Sequence, residues 1–200
     1  MRSSLALTLL AASVVILAAT ACTSTEAGTP RPAPGTNSDS PANDYEAPRV
    51  ATPLDGTPFL AKPCATLTPA QLQVLNLPPG KPDTDSAVAR SSGPACDWIN
   101  SDTREGVGVG FLSGNKNGLS DTYRGKDRFD GYFEPIEVDG YPAVFNDSGD
   151  YRPQGTCGMT VGISDTLTFT VLEQGRLGVK SCERAKQVAS MVIQTIKAGG

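Results

Sequence analysis

Five cysteines and no histidine, set behind an apolar leader, constrain this 200-residue chain more than any other feature. The cysteines are Cys22, Cys64, Cys96, Cys157 and Cys182. The leader opens on Arg2 and runs from Leu5 to Ala18 without a charge, the short basic start and apolar middle of an export signal. That run is shorter than the ~20 apolar residues a membrane-spanning helix needs. An exported chain with an odd cysteine count has one thiol to account for. Cys22 follows the small residues Ala19, Thr20 and Ala21. It reads as a bacterial lipoprotein cysteine, cleaved in front and acylated, with palmitate among its chains. Ordinary secretory cleavage after Ala21 fits the same small residues. Acylation is preferred because it leaves four cysteines that can pair. Several acyl chains on one cysteine anchor well, since each buried methylene contributes ~0.8 kcal/mol. The expected location is the extracytoplasmic face of the cell membrane.

This divides the chain into a signal peptide (1–21), a lipidated cysteine with a linker (22–58) and one domain (59–200). The linker is Pro, Ser, Thr, Gly and Ala with few large apolar residues. It buries too little to offset its ordering entropy and is expected to be a disordered spacer. The whole chain carries a formal charge of -4. Acidic balance argues against nucleic acid as a partner, which requires a basic face. It also gives no attraction to anionic lipid, so the acyl chains would do the anchoring.

Within the domain, Leu67-Thr68-Pro69-Ala70-Gln71-Leu72 predicts a helix start. Thr68 suits the N-cap, Pro69 the first helical position, and Gln71 can reach back to the cap. Pro78-Pro79-Gly80 stops that helix, and Lys81 to Gly93 reads as a polar loop. Cys96 to Ile99 begins a strand. Val107, Val109 and Phe111 alternate with Gly106, Gly108 and Gly110 as the next one. Leu119 to Phe129 predicts a weak helix interrupted by Gly125. Phe133 to Val138 and Tyr141 to Phe145 flank Asp139-Gly140, a strong hairpin signal. Cys157 to Ile163 and Leu167 to Val171 form a second hairpin around Ser164-Asp165. Ala185, Val188, Ala189, Val192, Ile193 and Ile196 recur at three and four, an amphipathic helix with Ser181 as its cap. The expectation is an α+β fold: an antiparallel sheet of five to six strands with N-terminal and C-terminal helices packed on it.

The four remaining cysteines allow three pairings. Cys64–Cys96 and Cys157–Cys182 are preferred. The first ties the approach to the opening helix to the first strand, and the second ties a core strand to the head of the last helix. Such loops stabilise by about 3–4 kcal/mol in the chain-entropy model. The spacing fits no zinc pattern, so neither a metal nor a cofactor is expected.

Catalysis finds little support. Without histidine there is no Ser-His or Cys-His arrangement. Ser113-Gly114-Asn115-Lys116 matches the serine-lysine pattern of penicillin-binding enzymes but lacks its companion elements. Asn146 to Asp150 lacks the calcium-loop pattern and reads as a solvated turn. Trp98, Tyr123, Tyr132, Phe133 and Tyr141 are pocket candidates that read more readily as packing aromatics.

Taken in order, the leader, the Pro-rich linker, Pro63-Cys64, Leu67 to Leu72, Pro94-Ala95-Cys96-Asp97-Trp98, Val138 to Val144, and Cys157 with Cys182 resemble the actinobacterial lipoproteins called domain of unknown function 3558. The resemblance implies a membrane-anchored exported protein with two disulfides, and it brings no catalytic residues. In element order the chain is also similar to extracellular sensor domains of actinobacterial kinases, a likeness of architecture only. The reading is a non-catalytic module that binds an envelope small molecule or a membrane-protein partner. The alternative is an envelope hydrolase using carboxylates or Ser113 and Lys116.

Overall fold

A computed structural model describes residues 47–199. Cys22, the leader and the linker as far as residue 46 lie outside the described residues. The seven strands are β1 (Lys81–Asp83), β2 (Ala95–Ile99), β3 (Gly106–Phe111), β4 (Tyr132–Val138), β5 (Tyr141–Asp147), β6 (Thr156–Gly162) and β7 (Thr168–Gln174). They form one antiparallel sheet in the order β1-β2-β3-β7-β6-β5-β4. The helices are α1 (Thr57–Leu60), α2 (Pro69–Leu75), α3 (Ala87–Ser91), α4 (Leu119–Arg124) and α5 (Ser181–Lys197).

The α+β class, the antiparallel sheet and the C-terminal helix are as the sequence predicts. The strand count is seven rather than five to six. The added strand is β1, which with α3 occupies the segment expected to be a loop. Its three residues contain Pro82 and pair with β2 at the sheet edge, where a missing N–H is tolerated. Lys81, Pro82 and Asp83 carry no readable hydrophobic period. The helix α3 is held by Ser86, whose hydroxyl accepts from Ala89 N–H at 3.0 Å.

Alternation decides the two faces of the sheet. Cys96, Trp98, Val107, Val109, Phe111, Met159, Val161, Phe169 and Val171 point to one side and are buried. The stripe Ala185, Val188, Ala189, Val192, Ile193 and Ile196 of α5 joins them in the core. Leu67 and Leu75, at either end of α2, join the same core. On the opposite side Leu119 of α4 stands over Gly162, where an added Cβ would come within 3.3 Å of its Cβ. Tyr123 and Phe129 pack on Phe133 with ring centroids 5.0 and 5.9 Å apart.

Local chemistry sets the boundaries. Thr68 accepts from Gln71 N–H and Gln71 Oε1 accepts from Thr68 N–H, a complete capping box. Asp139 and Gly140 both take positive φ, 52° and 85°, and join β4 to β5. Gly125 ends α4, and a 3-10 turn, Lys126–Arg128, follows. Ser181 is not the cap of α5. It lies inside the helix, buried, and Lys180 takes the cap position with no side-chain bond. A 3-10 turn, Gly178–Lys180, feeds the helix directly and leaves no extended residue for a capping hydroxyl.

The folded part begins earlier than Phe59. Val50 is buried, Leu54 N–H donates to Ile163 O at 2.8 Å, and Tyr141 OH donates to Thr52 O at 3.0 Å. Both preferred disulfides are present, Cys64–Cys96 and Cys157–Cys182.

Candidate functional site

Alternation carries one residue to an unusual place. Glu173 continues the inward phase of Phe169 and Val171, and pairs in register with Val107 on one side and Cys157 on the other. Its side chain is 3% exposed. A carboxylate rarely takes a core-facing position unless it is paired. Its neighbour is Arg184, in the first turns of α5 and four residues before Val188, so on the same helical stripe. Arg184 Nε lies 3.2 Å from Glu173 Oε2, within ion-pair reach. The two are not aligned for a hydrogen bond, and both atoms are buried without one. Arg184 also donates from Nη2 to Leu75 O at 2.7 Å, satisfying a free carbonyl at the end of α2. Burial drives the Glu173 carboxyl up to about 7, with the charge of Arg184 opposing the rise and Glu105 adding to it.

The pair borders a cavity of about 550 Å3. Three chain segments wall it. The end of α2 brings Leu75 to Pro78, the β2–β3 hairpin brings Asn100, Thr103, Glu105 and Gly106, and the segment after β7 brings Gly175 to Leu177. The sheet order makes this convergence, because β7 inserts beside β3 and places its end against the start of β3. Gly106 has φ of 151°, and a Cβ there would lie 2.0 Å from Trp98 O, so only glycine lets the hairpin close this tightly. At the rim Arg176 Nε and Glu105 Oε1 form a second, exposed pair at 2.7 Å. The cavity therefore holds two acidic and two basic groups, one couple deep and one at the mouth. Leu75, Leu77, Pro78 and Leu177 supply apolar wall.

The residues singled out in the sequence fall elsewhere. Lys116 Nζ donates to the carbonyl of Ser113 at 3.1 Å. Asp147 accepts from Ser148 N–H, and Asp150 holds Arg152. Trp98 is fully buried, and Tyr132 lies under the Arg152 guanidinium at 4.2 Å. Among the described residues no group of three or more potential metal ligands occurs, and no helix is long and apolar enough to cross a membrane.

The family model for "Protein of unknown function (DUF3558)" matches residues 17–195, most of the chain. The chain belongs to the DUF3558 family. Comparison of this DUF3558 protein with curated proteins and with solved structures gives no match.

Proposed function

We propose that this DUF3558 protein is a lipid-anchored lipoprotein of the extracytoplasmic membrane face. Its domain binds a small polar ligand and performs no catalysis. The observation that carries the binding reading is the cavity at the end of β7, bordered by Glu173 and Arg184. A concave site with a few convergent polar groups among apolar walls is the usual form of a small-molecule site. An ion pair buried there without complete hydrogen bonds is stabilised by a molecule that completes them. The leader, Cys22 and the two disulfides support an exported, anchored chain.

Native mass spectrometry of the full-length protein, extracted gently from its own membranes, tests both parts. The expected spectrum shows acyl mass on Cys22 together with a reproducible small adduct, and the adduct is lost from Arg184→Ala. A bare protein overturns the ligand reading. An unmodified N-terminal Cys22 overturns the anchor.

The second reading, an envelope hydrolase, has one observation in its favour: Glu105 and Glu173 share the cavity, and one of them titrates near neutrality. Each carboxylate is held by an arginine, which opposes use as a free general acid or nucleophile. Turnover of cell-wall fragments by the wild type, abolished in Glu173→Gln, would establish it over the binding reading.

A further inference from the structure

The binding reading leaves the ligand class open, and the charge layout of the cavity narrows it. With Glu173 ionised, the four charged groups on its wall sum to zero: Glu173 with Arg184 inside, Glu105 with Arg176 at the mouth. A ligand carrying a single charge would leave one member of the inner pair uncompensated, at a site where unpaired charge is expensive. A wholly apolar ligand would leave both inner groups incompletely bonded. The two inner groups are of opposite kind, a carboxylate (Glu173) and a guanidinium (Arg184), set side by side on the cavity wall with Oε2 and Nε 3.2 Å apart. One small molecule with a cationic donor and an anionic acceptor a few bonds apart matches that arrangement. The apolar wall of Leu75, Leu77, Pro78 and Leu177 then faces the remainder of that molecule. The polar groups of Asn76, Asn100 and Thr103 border the same space.

We propose, resting on the binding reading above, that this cavity takes a zwitterion of amino-acid type, with its ammonium group on Glu173 and its carboxylate on Arg184. The ammonium donates to the Glu173 carboxylate and the ligand's carboxylate accepts from the Arg184 guanidinium. No bond is made or broken. The outer pair closes the mouth without contributing net charge, so a second charged group on the ligand is not required.

The test uses three probes of one shape: leucine, 3-methylbutylammonium lacking the carboxylate, and 4-methylpentanoate lacking the ammonium. Each is titrated into isotopically labelled full-length protein. The reporters are the backbone amides of Gly106 and Gly175 and the Arg184 Nε–H. Leucine is expected to shift all three, and each single-charge analogue to bind at least about tenfold more weakly. Glu173→Gln should bring leucine down to the affinity of 4-methylpentanoate. Arg184→Ala should bring leucine down to the affinity of 3-methylbutylammonium, and serves if Glu173→Gln does not fold. Equal binding of leucine and either analogue overturns the zwitterion and keeps the cavity as a binding site. Absence of any shift with all three probes overturns the zwitterion. If the native adduct is also missing, the binding reading falls with it.

Discussion

Placing the Glu173 carboxyl between Val107 and Cys157 raises its affinity for a proton, and that couples folding to pH. An unfolded glutamate titrates near 4.5, while burial lifts Glu173 to about 7. Between those values the folded chain binds more protons than the unfolded one. Stability from this group is full below the lower value and is lost as pH rises through the higher one, a decline on the order of 1–3 kcal/mol once solvent screening is allowed for. Burial, with Asp83 beside it, raises Asp97 in the same direction. Asp55, Asp83, Asp150 and Asp165 act oppositely. Side-chain hydrogen bonds from Thr57, Ser86, Arg152 and Arg49 hold them below 3.8. Their contribution is present above that value and lost as pH falls. Stability should therefore peak at about pH 4–5. Urea midpoints taken from pH 4.5 to 8 should decline in the wild type and stay much flatter in Glu173→Gln. An equal decline in both would show that this carboxyl does not titrate in that window.

At the scale of elements, Gln71 joins two of them. Its Oε1 accepts from Thr68 N–H at 2.7 Å and from Thr195 Oγ1 at 3.0 Å, and its Nε2 donates to Met191 O at 3.1 Å. It closes the cap of α2 and also fixes α2 against α5. Thr68→Ala removes one cap bond and should cost about 1 kcal/mol. Gln71→Ala removes the cap bond and both bonds to α5, and should cost about 2–3 kcal/mol. Denaturation of the two variants side by side checks the order. A cost for Gln71→Ala no larger than for Thr68→Ala would mean that the α2–α5 bonds contribute nothing net. The sequence announced α2, the Asp139-Gly140 hairpin and α5 because their signals are local: a cap with its partner, a turn needing positive φ, an apolar stripe. It did not announce β1 or α3, whose few residues are too short for a readable period and gain their form from pairing with β2 and from Ser86. Half of the site was legible in principle. Glu173 continues the alternation of Phe169 and Val171, and Arg184 precedes Val188 by one helical turn. Ending the strand at Val171 hid the first, and reading α5 by its apolar residues hid the second. The convergence of the β2–β3 hairpin, the end of α2 and the end of β7 was not legible, since it depends on β7 inserting beside β3.

At the scale of the molecule, the chain enters the fold at one end of the sheet and the cavity opens at the other. Ala47 N–H donates to Ser120 Oγ, and Arg49 and Val50 reach Asp165 in the β6–β7 turn. The cavity lies at the Gln174 end of β7, and seven residues of strand separate the two ends by roughly 20 Å. In the proposed reading, a lipid tether pulling through residue 47 would act on the end remote from Glu173, and anchoring and ligand binding would use different surfaces. The same geometry makes the N-terminal strap separable from the site. A chain begun at Phe59 loses buried Val50, the Leu54 to Ile163 bond and the Thr52 carbonyl that receives Tyr141 OH. Against a chain begun at Ala47, the shorter chain should lose about 3–6 kcal/mol, from one buried valine and the hydrogen bonds to Ser120, Asp165, Ile163 and Tyr141. The amide shifts of Gly106 and Gly175 should coincide in the two chains, because nothing in the strap touches the cavity wall. Lower stability with unchanged cavity shifts is the expected pair of results. Equal stability would show that the strap is not part of the folded unit. Altered shifts at Gly106 and Gly175 would show that the two ends of the sheet are coupled, and that a pull on the tether is felt at the site.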